Sequence, residues 1–123
     1  FPDSDDLFLL VQPKHVSEIF INLLVNAREA IEGNGKITIA LERQSDSDIV
    51  INISDDGQGI DPKIQTKVFE SYFSTKEGGS GLGLGIVKKY LEFYSGTISL
   101  KSSESGTTFT LVFPQHLSTA GHY

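Results

Sequence analysis

The stretch Gly78-Gly79-Ser80-Gly81-Leu82-Gly83-Leu84-Gly85 constrains this chain more than any other. Each glycine costs backbone entropy when it is ordered. Such a run therefore belongs where main chain takes unusual angles or comes very close to another group. It leads straight into Ile86-Val87-Lys88-Lys89-Tyr90-Leu91-Glu92-Phe93, and Leu84, Val87, Leu91 and Tyr94 recur at helical spacing. A helix N-terminus presents free N–H groups and a partial positive charge, which suits phosphate. Taken alone, the run fits an ordinary loop and helix start equally well.

A bound polyphosphate would meet an acidic protein, because the 123 residues carry a formal net charge of −6. Its charge must then be neutralised locally, by backbone N–H groups, a divalent cation and a few placed basic residues. The same charge argues against a broad nucleic-acid surface. The length fits one domain with a core of its own. No cysteine is present, which removes disulfides and thiolate metal sites. No apolar run approaches a membrane span and no signal-peptide pattern opens the chain, so a cytoplasmic domain without direct membrane contact is expected. Without an initial Met it reads as a piece of something longer, and the full-length protein is free to be membrane-anchored.

Residues 1–6 are acidic and read as a linker end, and residues 7–11 as a short strand. A long helix is expected from about His15 to Glu32, stopped by Gly33-Asn34-Gly35 in the manner of a C-cap. Residues 36–42 and 49–54 alternate apolar and polar, predicting a hairpin. Asp55 to Gly59 is a turn cluster, and Asp61-Pro62 predicts a short helix by the capping rule. Phe69 to Lys76 is aromatic and irregular. After the glycine run and its helix, residues 97–101 and 107–113 predict a second hairpin around Glu104-Ser105-Gly106. Residues 115–123 lack any pattern and read as a tail. The order implies one domain over residues 7–114, α+β by class: a two-layer α/β sandwich with a mixed, mostly antiparallel sheet and the helices on one face.

Two stretches bear polar residues that need a reason. Asparagine is a poor helix-interior residue, yet Asn22 and Asn26 both sit inside the first helix. At about 100° per residue, Val16, Phe20, Leu23, Ala27 and Ile31 form an apolar stripe. Glu18, Asn22, Asn26 and Glu29 form a polar one, flanked by Ile21 and Val25. Amides between greasy neighbours suggest a pocket wall, and an amide oxygen is a hard neutral ligand suited to Mg²⁺; a solvated helix face is the plainer reading. Asp55-Asp56-Gly57-Gln58-Gly59 follows directly on a strand. A carboxylate there can accept a hydrogen bond from an adenine amino group and would reject guanine, whose carbonyl occupies that position. The plainer reading is an Asx turn with a surface carboxylate.

In order, Asn22-xxx-Asn26, Asp55-x-Gly57-x-Gly59-Ile60, Phe69-xxx-Phe73 and Gly79-x-Gly81-Leu82-Gly83 resemble the N, G1, F and G2 boxes of sensor histidine kinases. That family's catalytic and ATP-binding domain lies within the gyrase/Hsp90/MutL-type ATPase superfamily. The resemblance covers residues 7–114 and implies the Bergerat ATP-binding fold, ATP or ADP as nucleotide, and Mg²⁺. By position it implies that Asn26 coordinates Mg²⁺ with Asn22 assisting, that Asp55 binds adenine N6, and that Gly57, Gly59 and Ile60 close over the base. Phe69 and Phe73 would anchor a lid; Thr75, Lys76, Ser80, Gly81, Leu82, Gly83 and Leu84 would surround the phosphates. Thr107 or Thr108 would support adenine. Where many members carry a basic residue after the second asparagine this chain has Glu29, with Arg28 beside it, so Lys76 is the expected γ-phosphate cation. The short lid is similar to that of the nitrogen-regulatory and oxygen-sensing branch.

The resemblance further implies transfer of the γ-phosphate to a histidine on a separate dimerisation domain, with a response-regulator receiver downstream and a homodimeric full-length protein. None of His15, His116 and His122 lies in a suitable acceptor helix. Glu18, one turn before Asn22, is a candidate for orienting or deprotonating the acceptor. The alternatives are an anti-sigma-factor serine kinase, which shares the pocket, an ATP-driven clamp, and a binding module that has lost activity. A clamp would carry a glutamate base at the position of Asn22 and a transducer domain; neither is seen.

Overall fold

The structure, a computed structural model, describes residues 11–44, 48–70 and 83–114. Its elements are α1 (Pro13–Ala30), β1 (Ile37–Gln44), β2 (Asp48–Asp55), α2 (Gly83–Phe93), β3 (Thr97–Ser103) and β4 (Gly106–Pro114). The strands form one sheet in the order β1-β2-β4-β3, and every pairing is antiparallel. Both expected hairpins are present, and the expected α+β sandwich is the architecture observed. The linker, nearly all of the first expected strand, and the tail lie outside the described residues.

Alternation along the strands decides where the core sits. Ile49, Ile51 and Ile53 of β2 stand opposite Phe113, Leu111 and Phe109 of β4. Side chains directly opposite in an antiparallel pair share a face, and all of these are buried. Ile98 and Leu100 of β3 extend two of these rows. Onto this face pack Ile19 and Leu23 from α1 and Val87 and Leu91 from α2. The other face is more polar, with Ser54 Oγ 2.9 Å from Thr108 Oγ1 and Thr110 Oγ1 donating to Asn52 Oδ1 at 2.7 Å.

Three local expectations are corrected. The first helix begins at Pro13, whose missing N–H costs nothing at a first position, and ends at Ala30 with an extended C-cap at Ile31. It stops before the glycines because the Ala30 carbonyl accepts the N–H of Gln58, at 3.1 Å, instead of a bond from its own next turn. Its buried face is centred on Ile19, Leu23 and Ala27, rotated from the expected stripe, while Ile21 remains 60 % exposed. Residues 61–70 wind through successive i→i+3 bonds rather than an α-helix. The Asp61 carboxylate does take the Lys63 N–H, at 2.9 Å. The Gln65 amide folds back on the Ile60 carbonyl at 2.8 Å, and Phe69 packs edge-on against Phe109.

Candidate nucleotide site

The apolar rows of the sheet end in a polar one. After Ile53 and Phe109, the next inward pair is Asp55 and Thr107, and Ser102 of β3 stands opposite Thr107. Thr107 is 3 % exposed and is the buried polar residue among the described residues. Its hydroxyl lies 2.7 Å from Ser102 Oγ. Thr108 points to the opposite face, where it meets Ser54. Of the two threonines, Thr107 alone shares a face with Asp55.

The loop after Asp55 is held at every step. Gly57 N–H donates to Asp55 Oδ1 at 2.9 Å, so the Asx turn is real and fixes one carboxylate oxygen. Gln58 N–H reaches the end of α1, and Ile60 N–H donates to Ser102 Oγ at 2.7 Å. Between them Gly59 takes φ +83, and a Cβ there would lie 1.9 Å from the Ser103 carbonyl oxygen. Only glycine satisfies both demands. The loop is thus wedged between a helix end and the β3–β4 hairpin. A cleft lined by Asp55, Lys101, Ser102, Gly106, Thr107 and Thr108 opens beside it.

Asn26 stands one helical turn before Ala30, the residue on which that loop docks. Asn22 Nδ2 donates to the Glu18 carbonyl and Asn26 Nδ2 to the Asn22 carbonyl, each at 2.7 Å. These bonds use the amide nitrogen of each side chain and leave Oδ1 as the atom that could serve a cation. Among the described residues no three His, Asp or Glu side chains gather as a metal site. A hard cation held here would thus use amide oxygen, water and the oxygens of an anionic ligand, the donor set that Mg²⁺ accepts.

Glu18 is tied across the helix pair: its carboxylate accepts the Tyr90 hydroxyl of α2. This bond is the leading cause that raises the Tyr90 pKa above its ordinary value, followed by desolvation and the charge of Glu18. His15 stacks on Tyr90 with ring centroids 4.5 Å apart, and its Nδ1 is 2.6 Å from the Tyr94 hydroxyl. The Tyr94 oxygen also accepts the Gln12 N–H at 3.0 Å, closing the start of α1, which has no side-chain cap. His15 is therefore part of the joint between the helices. Gly83 and Leu84 open α2, with Leu84 packed against the core. Phe73, Thr75, Lys76, Ser80, Gly81 and Leu82 lie outside the described residues.

The family described as histidine kinase-, DNA gyrase B- and HSP90-like ATPases matches residues 11–117. The chain belongs to this ATPase family. Over 100 residues the domain is 40 % identical to the signal transduction histidine-protein kinase AtoS of Escherichia coli K12, an alignment covering 80 % of this chain and 16 % of that protein. It is 36 % identical over 103 residues to the sensor histidine kinase ZraS of Salmonella typhi, covering 83 % of this chain and 22 % of ZraS. Among solved structures, the catalytic domain of histidine kinase ThkA superposes with a TM-score of 0.81 at 32 % identity, covering 92 % of this chain and 74 % of that one. The chain thus corresponds to the ATPase domain of sensor histidine kinases, and it spans only a small part of the curated relatives it matches. No helix among the described residues is long and apolar enough to cross a membrane.

Ser102 and Tyr90 were not singled out from the sequence. Ser102 is hidden among Ser99, Ser103 and Ser105, and only strand register reveals which serine faces the site. Tyr90 sits at a helical position without a partner nearby in sequence, and its bond to Glu18 depends on how the helices cross.

Proposed function

We propose that this domain binds Mg·ATP and donates the γ-phosphate to a histidine on a separate, upstream dimerisation domain in two-component signalling. The observation that carries the reading is the shared face of Asp55 and Thr107 at the end of the core, with the Asp55 loop docked one turn from Asn26. Asp55 would accept the adenine amino group, Thr107 would support the ring, and Gly57, Gly59 and Ile60 would lie along the base. Asn26, assisted by Asn22, would hold Mg²⁺ against the phosphates. The N-terminal turn of α2, at Gly83 and Leu84, would face the phosphates with Ser80, Gly81 and Leu82. Thr75 would lie beside them, Lys76 would meet the γ-phosphate, and Phe73 would anchor the connecting segment.

Phosphoryl transfer depends on positioning and charge neutralisation more than on covalent chemistry from the protein. Mg²⁺, when bound, neutralises the oxygens between the transferred and leaving groups. This chain's residues fix the nucleotide and present its terminal phosphate. Glu18 would orient the acceptor imidazole with the carboxylate oxygen that Tyr90 does not take. His15 is engaged with aromatic rings, and in this reading the acceptor is supplied by the upstream domain. We further propose a cytoplasmic setting, a homodimeric full-length protein and a response-regulator receiver as the next carrier of the phosphoryl group.

The test is to mix the domain with Mg·ATP and the upstream helical domain of the same protein and to map acid-labile phosphate. A phosphohistidine on the upstream helix, absent with Asp55→Asn, is expected. Phosphate on a serine of the partner would instead favour the serine-kinase alternative.

A further inference from the structure

The hydroxyl of Ser102 is a junction. It accepts the Ile60 N–H at 2.7 Å and lies 2.7 Å from Thr107 Oγ1, whereas its other neighbour, the Gly106 carbonyl oxygen, is 3.4 Å away. It lines the cleft with Asp55 and Thr107 and also the adjoining one with Gln58, Ile60 and Asp61. We propose that Ser102 is a positioning residue that fixes the direction of the Thr107 hydroxyl proton and, through it, the choice of adenine over guanine nucleotides. The proposal rests on reading Asp55 and Thr107 as the pair that recognises the base.

The argument is a count of protons. Each hydroxyl has one proton to give and two acceptor sites. Ile60 takes one acceptor site of Ser102, and the proton of Ser102 can go to Thr107 or to Gly106. An O–H···O contact of 2.7 Å sits at the preferred distance, and one of 3.4 Å is weak. Either hydroxyl can be the donor across the 2.7 Å contact; we assign that role to Ser102, because the one other acceptor recorded for the Ser102 proton is the distant Gly106 carbonyl. The Thr107 proton is then left for an acceptor other than Ser102, on the face that Thr107 shares with Asp55. The Asp55 carboxylate can only accept.

The row consequently offers an acceptor beside a donor. Adenine presents the complement, an N6–H donor beside the N1 acceptor. Guanine presents the reverse, an O6 acceptor beside the N1–H donor, so both protein groups would be left unpaired, the kind of mismatch by which a hydrogen-bonding site discriminates strongly. Were the Ser102 proton sent to Gly106, Thr107 would offer a lone pair and accept guanine N1–H. Discrimination would then fall to Asp55 alone.

A serine that merely tethered the loop through Ile60 would affect all nucleotides alike, which gives the test its readout. The chain is titrated calorimetrically with ATP, GTP and 1-deaza-ATP, which lacks the N1 acceptor, as wild type, Ser102→Ala, Ser102→Thr and Asp55→Asn. Wild type should prefer ATP over 1-deaza-ATP by roughly five- to tenfold, the worth of one hydrogen bond. Ser102→Ala, which leaves the Thr107 hydroxyl in place but free to rotate, should lower that ratio and narrow the preference for ATP over GTP, while Ser102→Thr, which keeps the hydroxyl, should restore both. An equal loss for all three nucleotides in Ser102→Ala would overturn the proposal. So would a wild type that does not distinguish ATP from 1-deaza-ATP, a measurement that needs no variant to fold. If Asp55→Asn loses ATP while Ser102→Ala keeps the wild-type ratios, only the Ser102 assignment fails. If Asp55→Asn binds ATP unchanged, the base-recognition reading itself fails, and the proposal with it.

Discussion

Gly106→Ala should damage nucleotide binding by displacing backbone rather than by removing a side chain that binds. Gly106 opens β4 with φ +143, and a Cβ built there would lie 2.0 Å from the Asp55 carbonyl oxygen and 3.1 Å from Asp56 Cα, where ordinary contact begins at 3.4 Å. The obstacle is backbone on both counts, so no side chain can rotate out of the way. The end of β2 must move by more than an ångström, and it carries the Asp55 carboxylate with it. Backbone strain of this kind costs on the order of 2 kcal/mol or more. In a domain of this size that lowers Tm by about 6–10 °C. The diagnostic measurement is ATP affinity well below Tm, where we expect a loss of about tenfold or more, because a hydrogen bond displaced by over an ångström is no longer made. Gly33→Ala is the control. Gly33 also has positive φ, at +75, but nothing lies within 4 Å of its Cβ position. That variant should lose about 1 kcal/mol and keep its ATP affinity. Gly106→Ala binding ATP within twofold of wild type would refute the claim that the β4 start holds Asp55 in place.

Asn26→Ala should leave Tm unchanged or slightly higher, since alanine is the better helix residue by several tenths of a kcal/mol, while ATP binding loses its dependence on Mg²⁺. Titrations with and without the metal check this, and an unaltered Mg²⁺ effect would remove Asn26 from the metal site. Tyr90 gives a pH dependence with a definite sign. Its pKa is raised above 10.0 in the folded state, chiefly by the hydrogen bond to Glu18. The stability it contributes is therefore complete below the ordinary tyrosine range and lost as pH rises through the folded value. Denaturant unfolding between about pH 9 and 11 should show wild type losing stability faster than Tyr90→Phe, and parallel slopes would contradict the assignment.

Much of the sheet was legible because alternation is a strong signal where one face is buried: Ile49, Ile51 and Ile53 are buried as the pattern requires, whereas Ile37 and Ile39 of the neighbouring edge strand share that face yet stay exposed. Asp55 was legible for a related reason, since a carboxylate that ends an inward-facing series must lie at the rim of the core. The helix boundary at Ala30 was not, because the partner of its carbonyl, Gln58, comes from a loop beyond the first hairpin. The same holds for which of Thr107 and Thr108 shares a face with Asp55. Adjacent threonines are alike in sequence and opposite in space, and only the pairing of β4 with β2 separates them. Residues 61–70 show how a correct cap can precede an incorrect helix: Asp61 caps as expected, but Gln65, Val68 and Phe69 turn to loop and core rather than continuing α-helical spacing.

The pairing of Asp55 with Thr107 also bears on how the protein comes into being. The β1–β2 and β3–β4 hairpins are local and can close early, but the row that Asp55 and Thr107 share exists only once β2 has found β4 across the intervening helix and loops. Long-range pairing of this kind is slow and comes late. A chain still leaving the ribosome, or one in which the two hairpins have collapsed without docking, has all the strands' residues and no pocket. Nucleotide added during refolding should therefore report the completed sheet rather than its parts, and by mass action it would draw the population toward that state.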